Sequence, residues 1–264
     1  MNCFAHFSED YQTALNTHTL GRAMELHETL DSTNAYLKRR CAAGDNPPGL
    51  AAAALTQTAG RGRLGRVWES RSGLGLYVSY LTPPLSGDLL PLVPIAMGLA
   101  AAETVTALSG AEAGIKWPND IISRGRKLCG ILCEGTGGGA VCGIGVNLLQ
   151  DADFFAGAGL PNATSLWLET GETLSAGILA AGIANRLEQR LDALAREGTA
   201  ALLSDLRQNC VSLGRQVRAI SPAGEIIGIA ADIDAAGRLV IETEAGLLAV
   251  SSGEVQLRTP EGYV

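Results

Sequence analysis

The segment with the clearest chemical character is residues 60–68, where arginines alternate with glycines. Arg61, Arg63 and Arg66 stand in it, and Trp68 ends it. Glycine lets backbone N–H groups approach an anion, and arginine presents a fork of donors that matches a carboxylate or phosphate. The segment lacks the Gly-Lys-Ser/Thr ending of a P-loop. It predicts a mobile cationic loop that orders over an anionic ligand, although an exposed basic turn or an RNA-binding segment has the same composition.

A second polar segment carries Lys116 on a predicted strand and presents Asn119 and Asp120 in a turn after a proline. Asp120 is a carboxylate of the kind that holds Mg²⁺, which takes few carboxylates and completes its shell with phosphates and water. Lys127, on the next predicted strand, has the charge needed where a carboxylate meets an α-phosphate. Ordinary turn chemistry and a solvated lysine account for the same residues without any ligand.

A third segment, residues 143–148, reads Gly-Ile-Gly-Val-Asn-Leu. Glycines within a strand allow a ligand to approach closely, and the Asn147 amide has the donor and acceptor that a planar heterocycle requires. The spacing is not GxGxxG and no helix is predicted directly after it, so it is a weak dinucleotide motif. A glycine-containing strand packed against its neighbours is the alternative interpretation.

The composition limits the class of protein. The 264 residues are 47% hydrophobic and 18% charged, as in a well-packed domain, and the formal charge of -7 argues against a general nucleic-acid binder. The six cysteines form no CxxC pair and predict reduced thiols in a reducing compartment. The chain opens with no signal peptide, and no segment is expected to reach the apolar length of a membrane span. We therefore expect a cytoplasmic protein.

Hydrophobic periodicity predicts the elements that position these segments. Strands are predicted at 26–30, 50–56, 74–81, 115–117, 127–134 and 141–148. Helices are predicted after the caps at 31–34, around 95–108, at 173–197 and at 199–209. Short β segments at 216–220, 226–233, 239–243 and 247–250 predict a small antiparallel barrel. We expect an N-terminal extension at 1–24, a main domain at 25–211 and a small domain at 212–264.

Five motifs in this order resemble those of the biotin protein ligase family. They are Asp31-Ser32-Thr33-Asn34, the Gly60-to-Arg66 run, Lys116-Trp117-Pro118-Asn119-Asp120, Lys127-Leu128-Cys129-Gly130-Ile131-Leu132 and the Gly143-to-Asn147 run. The similarity covers about 26–258 and ends with Gly253-Glu254-Val255-Gln256-Leu257-Arg258. It implies an α+β fold: a catalytic domain like that of class II aminoacyl-tRNA synthetases, with a mixed sheet and helices, followed by a small SH3-like β-barrel.

The resemblance also implies the site residues. Those expected to bind biotin are Ser32, Thr33, Asn34, Gln57, Gly60, Arg61, Gly62, Arg63, Lys127, Gly130 and Gly145. Those expected to bind ATP are Arg63, Arg66, Trp68, Lys116, Asn119 and Asn147. Arg63, Lys127 and Asp120 are the expected catalytic residues, with Asp120 as the Mg²⁺ ligand. Leu64 departs from the pattern, because some members carry another basic residue there.

The implied activity joins biotin and ATP into biotinyl-5′-AMP and passes the biotinyl group to a lysine of a biotin carboxyl carrier protein, from acetyl-CoA carboxylase or a related carboxylase. Some members are also repressors, but about 25 residues before the first motif cannot hold their DNA-binding domain. We expect a monofunctional ligase without DNA or membrane partners, and consider a homodimer because an exposed strand edge can pair with a second copy or with the acceptor. A lipoate-type ligase and a non-catalytic biotin-binding regulator are the alternatives.

Overall fold

Two sheets organise the chain in this computed structural model, which describes residues 3–221, 224–251, 253–259 and 262–263. The strands of the first sheet are β1 (Ala23–Leu30), β2 (Leu50–Gln57), β3 (Gly75–Leu81), β4 (Gly114–Lys116), β5 (Asp120–Ser123), β6 (Arg126–Gly135) and β7 (Ala140–Asn147). Their order is β1-β2-β3-β7-β6-β5-β4. The sheet is mixed, because β1 and β2 pair in parallel whereas the other neighbouring strands are antiparallel.

Seven helices of the described chain surround this sheet or extend from it. They are α1 (Phe7–Ala14), α2 (Thr33–Ala42), α3 (Val93–Ser109), α4 (Ala152–Gly157), α5 (Leu166–Thr170), α6 (Ala176–Glu197) and α7 (Ala200–Asn209). Alternate residues of β2 face opposite sides: Ala51 and Ala53 lie in the main core, whereas Ala52 packs with Leu37 of α2. The first sheet is therefore covered on both faces, with α2 on the face opposite the main core.

The main core contains an unusually apolar helix. Leu90–Ser109 is long and apolar enough to cross a membrane, so the expectation that no segment reaches such a length is wrong. However, 67% of its most apolar stretch is buried inside the protein. Gly98 of this segment lies against the side chains of Ile115 and Ile131. The helix is apolar around its circumference because α6 and the sheet enclose it, as expected for a core helix.

Residues 3–22 pack onto α6. The rings of Phe4, Phe7 and Tyr11 form a stack, with centroid separations of 5.4 and 5.9 Å. The Tyr11 hydroxyl donates to the Gly21 carbonyl at 2.9 Å. Gly177 of α6 permits the contact, because a Cβ there would lie 2.4 Å from the Phe7 carbonyl oxygen. The part of this segment that the structure describes thus belongs to the main core, while the predicted domain boundaries stay a prediction.

Glu188 fixes the end of this N-terminal segment. Its carboxylate accepts from the backbone N–H groups of His18, Thr19 and Leu20 at 2.6, 2.7 and 2.8 Å. Burial opposes ionisation, but these donors lower the pKa of Glu188 overall. A carboxyl group with a lowered pKa in the folded state stabilises at neutral pH, and the contribution is lost as the pH falls below the usual value of 4.5.

Replacing Glu188 with glutamine should lower the free energy of unfolding by about 2 kcal/mol at pH 7, because hydrogen bonds to a charged group are lost. The difference from the wild type should shrink below about pH 4. Urea denaturation at both pH values measures it. Asp192→Asn, one turn along α6 on an exposed position, is the matched control and should change stability by less than about 0.5 kcal/mol.

The second sheet forms a small β domain. Its strands are β8 (Gln216–Ser221), β9 (Gly224–Ile233), β10 (Leu239–Thr243), β11 (Gly246–Val250), β12 (Glu254–Thr259) and β13 (Gly262–Tyr263), in the order β11-β10-β9-β8-β12-β13. Trp117 Nε1 donates to the Gly237 carbonyl at 3.0 Å, and Arg207 pairs with Asp232 at 2.7 Å. These contacts attach the small β domain next to β4 and α7. The architecture matches the expected mixed sheet with helices followed by a small β domain.

Candidate active site

A cavity of about 290 Å³ lies beside β6 and β7 and extends to the small β domain. The predicted site residues that line it are Ser32, Thr33, Asn34, Gln57, Arg61, Gly62, Arg63, Arg66, Trp68, Lys116, Asn119, Asp120, Lys127, Gly130, Gly145 and Asn147. Gly60 is outside this lining. It closes the base of the loop, because its carbonyl accepts from the Trp68 N–H at 3.0 Å. The fold thus brings motifs from distant parts of the sequence to one cavity.

One end of the cavity, which we call the polar end, is lined by Thr33, Asn34 and Gln57, with the buried Ser79 directly behind them. The Thr33 N–H donates to Gln57 Oε1 at 2.8 Å, so the amide nitrogen of Gln57 is the end left to donate to a ligand. Ser79 lies at hydrogen-bond distance from both Thr33 and Asn34. The nearby Ser32 is the N-cap of α2. Helix α2 therefore begins at the cavity and presents its first side chains there.

Residues 60–68, the Gly/Arg loop, form a short hairpin over the cavity. The Gly62 N–H donates to the Arg66 carbonyl at 2.8 Å, and Arg61 bridges to Val67 as in an antiparallel ladder. The tip is a 3-10 turn, Arg63–Gly65, in which Leu64 has a left-handed φ of 56°. A left-handed backbone is costly for leucine, and this leucine is 69% exposed. The departure from a basic residue at position 64 therefore lies on the outer side of the loop.

Each arginine of the loop contacts a different wall of the site. Arg61 lies 3.3 Å from Glu134 of β6, and Arg63 Nη1 donates to Asn119 Oδ1 at 2.9 Å. Burial lowers the pKa of Arg63, with the charge of Asp120 acting in the opposite sense. Arg66 pairs with Glu254 of the small β domain and holds the pKa of that carboxyl down to about 2. The loop is thus held closed by β6, by the β4–β5 turn and by β12.

Replacing Glu254 with glutamine should loosen the loop on the side of the small β domain. We expect tryptic cleavage within the Gly/Arg loop to accelerate about three- to fivefold at pH 8. An ion pair of this exposure contributes up to about 1 kcal/mol, and the cleavage rate follows the fraction of molecules in which the loop is open. Mass spectrometry of the fragments measures the rate. Glu225→Gln breaks an ion pair with Arg218 inside the small β domain and is the control. Equal rates in both variants would contradict the role of Glu254.

The charged centre of the site is the pair Lys127–Asp120. Lys127 Nζ lies 2.8 Å from Asp120 Oδ1 and 5.5 Å from the centroid of the Trp68 ring. Lys116 is opposite Asp120 in the β4–β5 register, and burial lowers the pKa of Lys116. Asp120 thus lies among the cations Lys116, Lys127 and Arg63 and beside an aromatic ring, an arrangement that suits a polyanion better than a bare metal ion. Consistently, the described residues contain no cluster of three potential metal ligands.

Gly130 and Gly145 are paired across β6 and β7, and the Trp68 indole lies on them. A Cβ would be 2.5 Å from the ring at Gly130 and 2.4 Å from it at Gly145. The group that approaches these glycines is therefore a side chain of the chain itself, and their contact with biotin stays a prediction. Trp68 Nε1 is buried without a hydrogen-bond partner among the described residues.

Two asparagines expected to bind ATP use their amides to hold the protein together. Asn147 Nδ2 donates to the Thr164 carbonyl at 3.0 Å, and its Oδ1 accepts from Gln150 at 3.2 Å. Asn119 Nδ2 donates to the Ile131 carbonyl at 2.9 Å while its Oδ1 accepts from Arg63. In the structure both amides position neighbouring segments, and their contact with the nucleotide stays a prediction.

A wider groove of about 930 Å³ adjoins the cavity and shares Lys116, Asp120 and Lys127 with it. Its walls are the 159–163 segment, the end of α7 and β12. The sequence motifs did not reveal Ser79 or Glu134 as site residues. The available signals were a serine in a strand that is otherwise apolar and a carboxylate at the end of an apolar run.

Comparison with known proteins gives a consistent result. Residues 26–151 match the model of the Biotin/lipoate A/B protein ligase family, and residues 212–258 match the Biotin protein ligase C terminal domain. The biotin–[acetyl-CoA-carboxylase] ligase of Mycobacterium tuberculosis is 35% identical over 246 residues, which cover 89% of this chain and 88% of that protein. The bifunctional ligase/repressor BirA of Escherichia coli is 34% identical over 91% of this chain and 76% of its own length.

The solved structures agree. The biotin protein ligase of Aquifex aeolicus in complex with biotin and ATP superposes with a TM-score of 0.78 at 28% identity, covering 90% of this chain and 99% of that one. The expected fold class, a mixed sheet with helices followed by a small C-terminal β domain, is confirmed by this likeness. From its motifs, its fold and its relatives, the chain belongs to the biotin protein ligase family.

Proposed function

We propose that this chain activates biotin with ATP to biotinyl-5′-AMP and transfers the biotinyl group to a lysine of a biotin carboxyl carrier protein. The observation that supports this most directly is the arrangement of the cavity. It has a neutral polar end at Thr33 and Gln57 and a cationic end at Lys127 and Arg63. Biotin has a neutral cyclic urea at one end and a carboxylate at the other, so its two ends match the two ends of the cavity.

In the first step, the biotin carboxylate attacks the α-phosphorus of ATP, an O–P bond forms and pyrophosphate leaves. Negative charge on the phosphoryl oxygens grows in the transition state, and Arg63 and Lys127 are the cations that stabilise it. The Gly/Arg loop covers the cavity and keeps water from the mixed anhydride. Arg66 and Lys116, on the side of the wider groove, are placed for the phosphates of the nucleotide.

The residues fit Mg²⁺ only as part of an Mg²⁺–nucleotide complex. Asp120 supplies one carboxylate whose buried Oδ1 has no hydrogen bond in the described chain, apart from its ion pair with Lys127. Mg²⁺ commonly takes one or two carboxylates plus phosphates and water. When bound, it would neutralise phosphate charge; Asp120 is the residue that would hold it.

In the second step, the neutral amine of the acceptor lysine attacks the acyl carbon, the C–O bond of the mixed anhydride breaks and AMP leaves. The acceptor we propose is the carrier protein of acetyl-CoA carboxylase or a related carboxylase. The names of the relatives from Mycobacterium tuberculosis and Paracoccus denitrificans, the latter 32% identical over 85% of this chain, support it. The wider groove leads from the surface to Lys127 and is where we place the approaching lysine.

A homodimer and a cytoplasmic location are also part of the proposal. Strand β1 is at the edge of the seven-stranded sheet, and an edge strand can pair with a second copy. All six cysteines are free thiols, as in proteins of a reducing compartment.

Incubating the purified chain with biotin and Mg-ATP tests the activity. Mass spectrometry should find biotinyl-AMP, and the yield should be unaffected by excess lipoate or octanoate. Adding a carrier domain should then give a protein heavier by one biotinyl group, with release of AMP. Adenylation of lipoate instead of biotin would favour the lipoate-type alternative. Binding of biotin without adenylate would favour a non-catalytic regulator.

A further inference from the structure

The carboxylate of Glu134 connects three elements around the cavity. It accepts from Lys38 Nζ at 2.7 Å and from Asn34 Nδ2 at 3.0 Å, both on α2. Arg61 Nη2 of the Gly/Arg loop donates to it at 3.3 Å. Burial disfavours the charge, but these donors lower the pKa of Glu134, so it is ionised at neutral pH. Glu134 itself, on β6, is outside the lining of the cavity.

Glu134 and the Leu132 carbonyl together decide which way the Asn34 amide points. Glu134 Oε2 and the Leu132 carbonyl can only accept, so both require the nitrogen of Asn34. The Asn34 oxygen then faces Ser79, whose hydroxyl donates to it at 2.6 Å. Ser79 has one hydrogen for its contacts with Asn34 Oδ1 and with Thr33 Oγ1, and Thr33 Oγ1 in turn donates to Gln57 Oε1 at 3.2 Å.

This chain of hydrogen bonds sets the polarity that a ligand meets. The hydrogen of Thr33 is used inside this network, between Gln57 Oε1 and Ser79, which leaves a lone pair of Thr33 Oγ1 as an acceptor. Gln57 Oε1 is occupied by the Thr33 N–H, which leaves the Gln57 amide nitrogen as a donor. The polar end therefore offers one acceptor and one donor side by side. A cyclic urea presents the complementary pair, an N–H and a carbonyl oxygen.

We propose that Glu134 is a positioning residue of the biotin site, which fixes the donor and acceptor pattern of the polar end through Asn34 and holds Arg61 over the cavity. The inference rests on the proposed function. A glutamine at 134 has nearly the same shape but presents both a donor and an acceptor. The Asn34 amide is then held in its orientation by the Leu132 carbonyl alone, and Arg61 loses its counter-charge.

Glu134→Gln should raise the KM for biotin about tenfold, the effect of losing one charge-assisted hydrogen bond, while kcat for adenylate formation stays within about threefold. Lys38→Met is the matched control, because it removes another partner of the same carboxylate but leaves Asn34 and Arg61 in contact with it. Its KM for biotin should stay within about twofold of the wild type.

A second readout separates positioning from mere support of the fold. In 2-iminobiotin the urea oxygen is replaced by an N–H donor, so the wild type should prefer biotin. Glu134→Gln should reduce that preference by at least about threefold, because one of the two acceptors that hold the Asn34 amide is lost and the polar end reverses its donors and acceptors more readily. A structural role would weaken both ligands equally. If Glu134→Gln does not fold, Ser79→Ala breaks the same chain one step further along and should reduce the preference in the same way.

The outcomes are distinct. An unchanged KM and an unchanged preference in Glu134→Gln, with a wild type that makes biotinyl-AMP, overturn the role of Glu134 alone. Equal changes in Glu134→Gln and Lys38→Met overturn it as well, because they show a general effect of the ion pairs on α2. No biotinyl-AMP from the wild type rejects the proposed function, and the inference with it.

Discussion

Replacing Lys127 with methionine should lower the rate of biotinyl-adenylate formation by about 10²- to 10³-fold, because a preorganised cation beside the reacting phosphate contributes that much to stabilising developing charge. Lys127 Nζ is within 2.8 Å of Asp120 and under the Trp68 ring, so its position is fixed before the substrates arrive. Methionine keeps an unbranched side chain up to the ε position and removes the ammonium group. Single-turnover formation of biotinyl-AMP, followed with saturating biotin and ATP, measures the effect.

The control for this variant is Lys38→Met, the same substitution at the ion pair with Glu134. It should leave the single-turnover rate within about twofold of the wild type. Thermal unfolding of Lys127→Met reports whether leaving Asp120 without its partner affects the fold. A normal rate of adenylate formation in a folded Lys127→Met protein would mean that the transition-state charge is stabilised elsewhere, for example by Arg63 alone.

Gly145→Ala should weaken the binding of biotin about 10- to 100-fold, although the substitution adds a single methyl group. The new Cβ would lie 2.4 Å from the Trp68 ring, and the indole has to leave the sheet to make room. Overpacking of this kind costs about 1–3 kcal/mol, which corresponds to the stated loss of affinity if the displaced ring moves into the cavity. Isothermal titration with biotin measures it.

The hairpin that follows β6 provides the control. Gly137 lies in the connection between β6 and β7, and a Cβ added at this position would meet nothing within 4 Å. Biotin binding by Gly137→Ala should equal that of the wild type. Wild-type affinity in Gly145→Ala would show that Trp68 does not need its place on Gly130 and Gly145 for the cavity to form.

Strands β2, β3, β6 and β7 could be predicted because each is a run of alternating or continuous apolar residues longer than five. Strand β5 was not predicted, since its four residues follow directly after the Pro118 turn. The short helices α4 and α5 were also missed. Each begins with a capping side chain, Asp151 or Ser165, but is too short to show a helical period. Strand β12 was recognised only as part of a family motif.

For the site, the sequence predicted which segments meet but not how their side chains are paired. Asn34 and Glu134 are 100 residues apart, and Arg66 and Glu254 are 188 residues apart. Pairings of this kind follow from the three-dimensional fold and leave no periodicity or spacing in the chain. The glycines at 130 and 145 show the same limit, because the sequence indicated close approach but not that Trp68 is the group that approaches.

The contact between Arg66 and Glu254 makes the small β domain part of the binding equilibrium. Free-energy coupling is reciprocal: a ligand that favours the closed Gly/Arg loop must favour attachment of β12 by the same amount. Biotin and ATP should then protect backbone amides throughout the small β domain, although β12 is the strand whose described residues reach the cavity. Conversely, any molecule that holds β12 in place tightens substrate binding without entering the cavity.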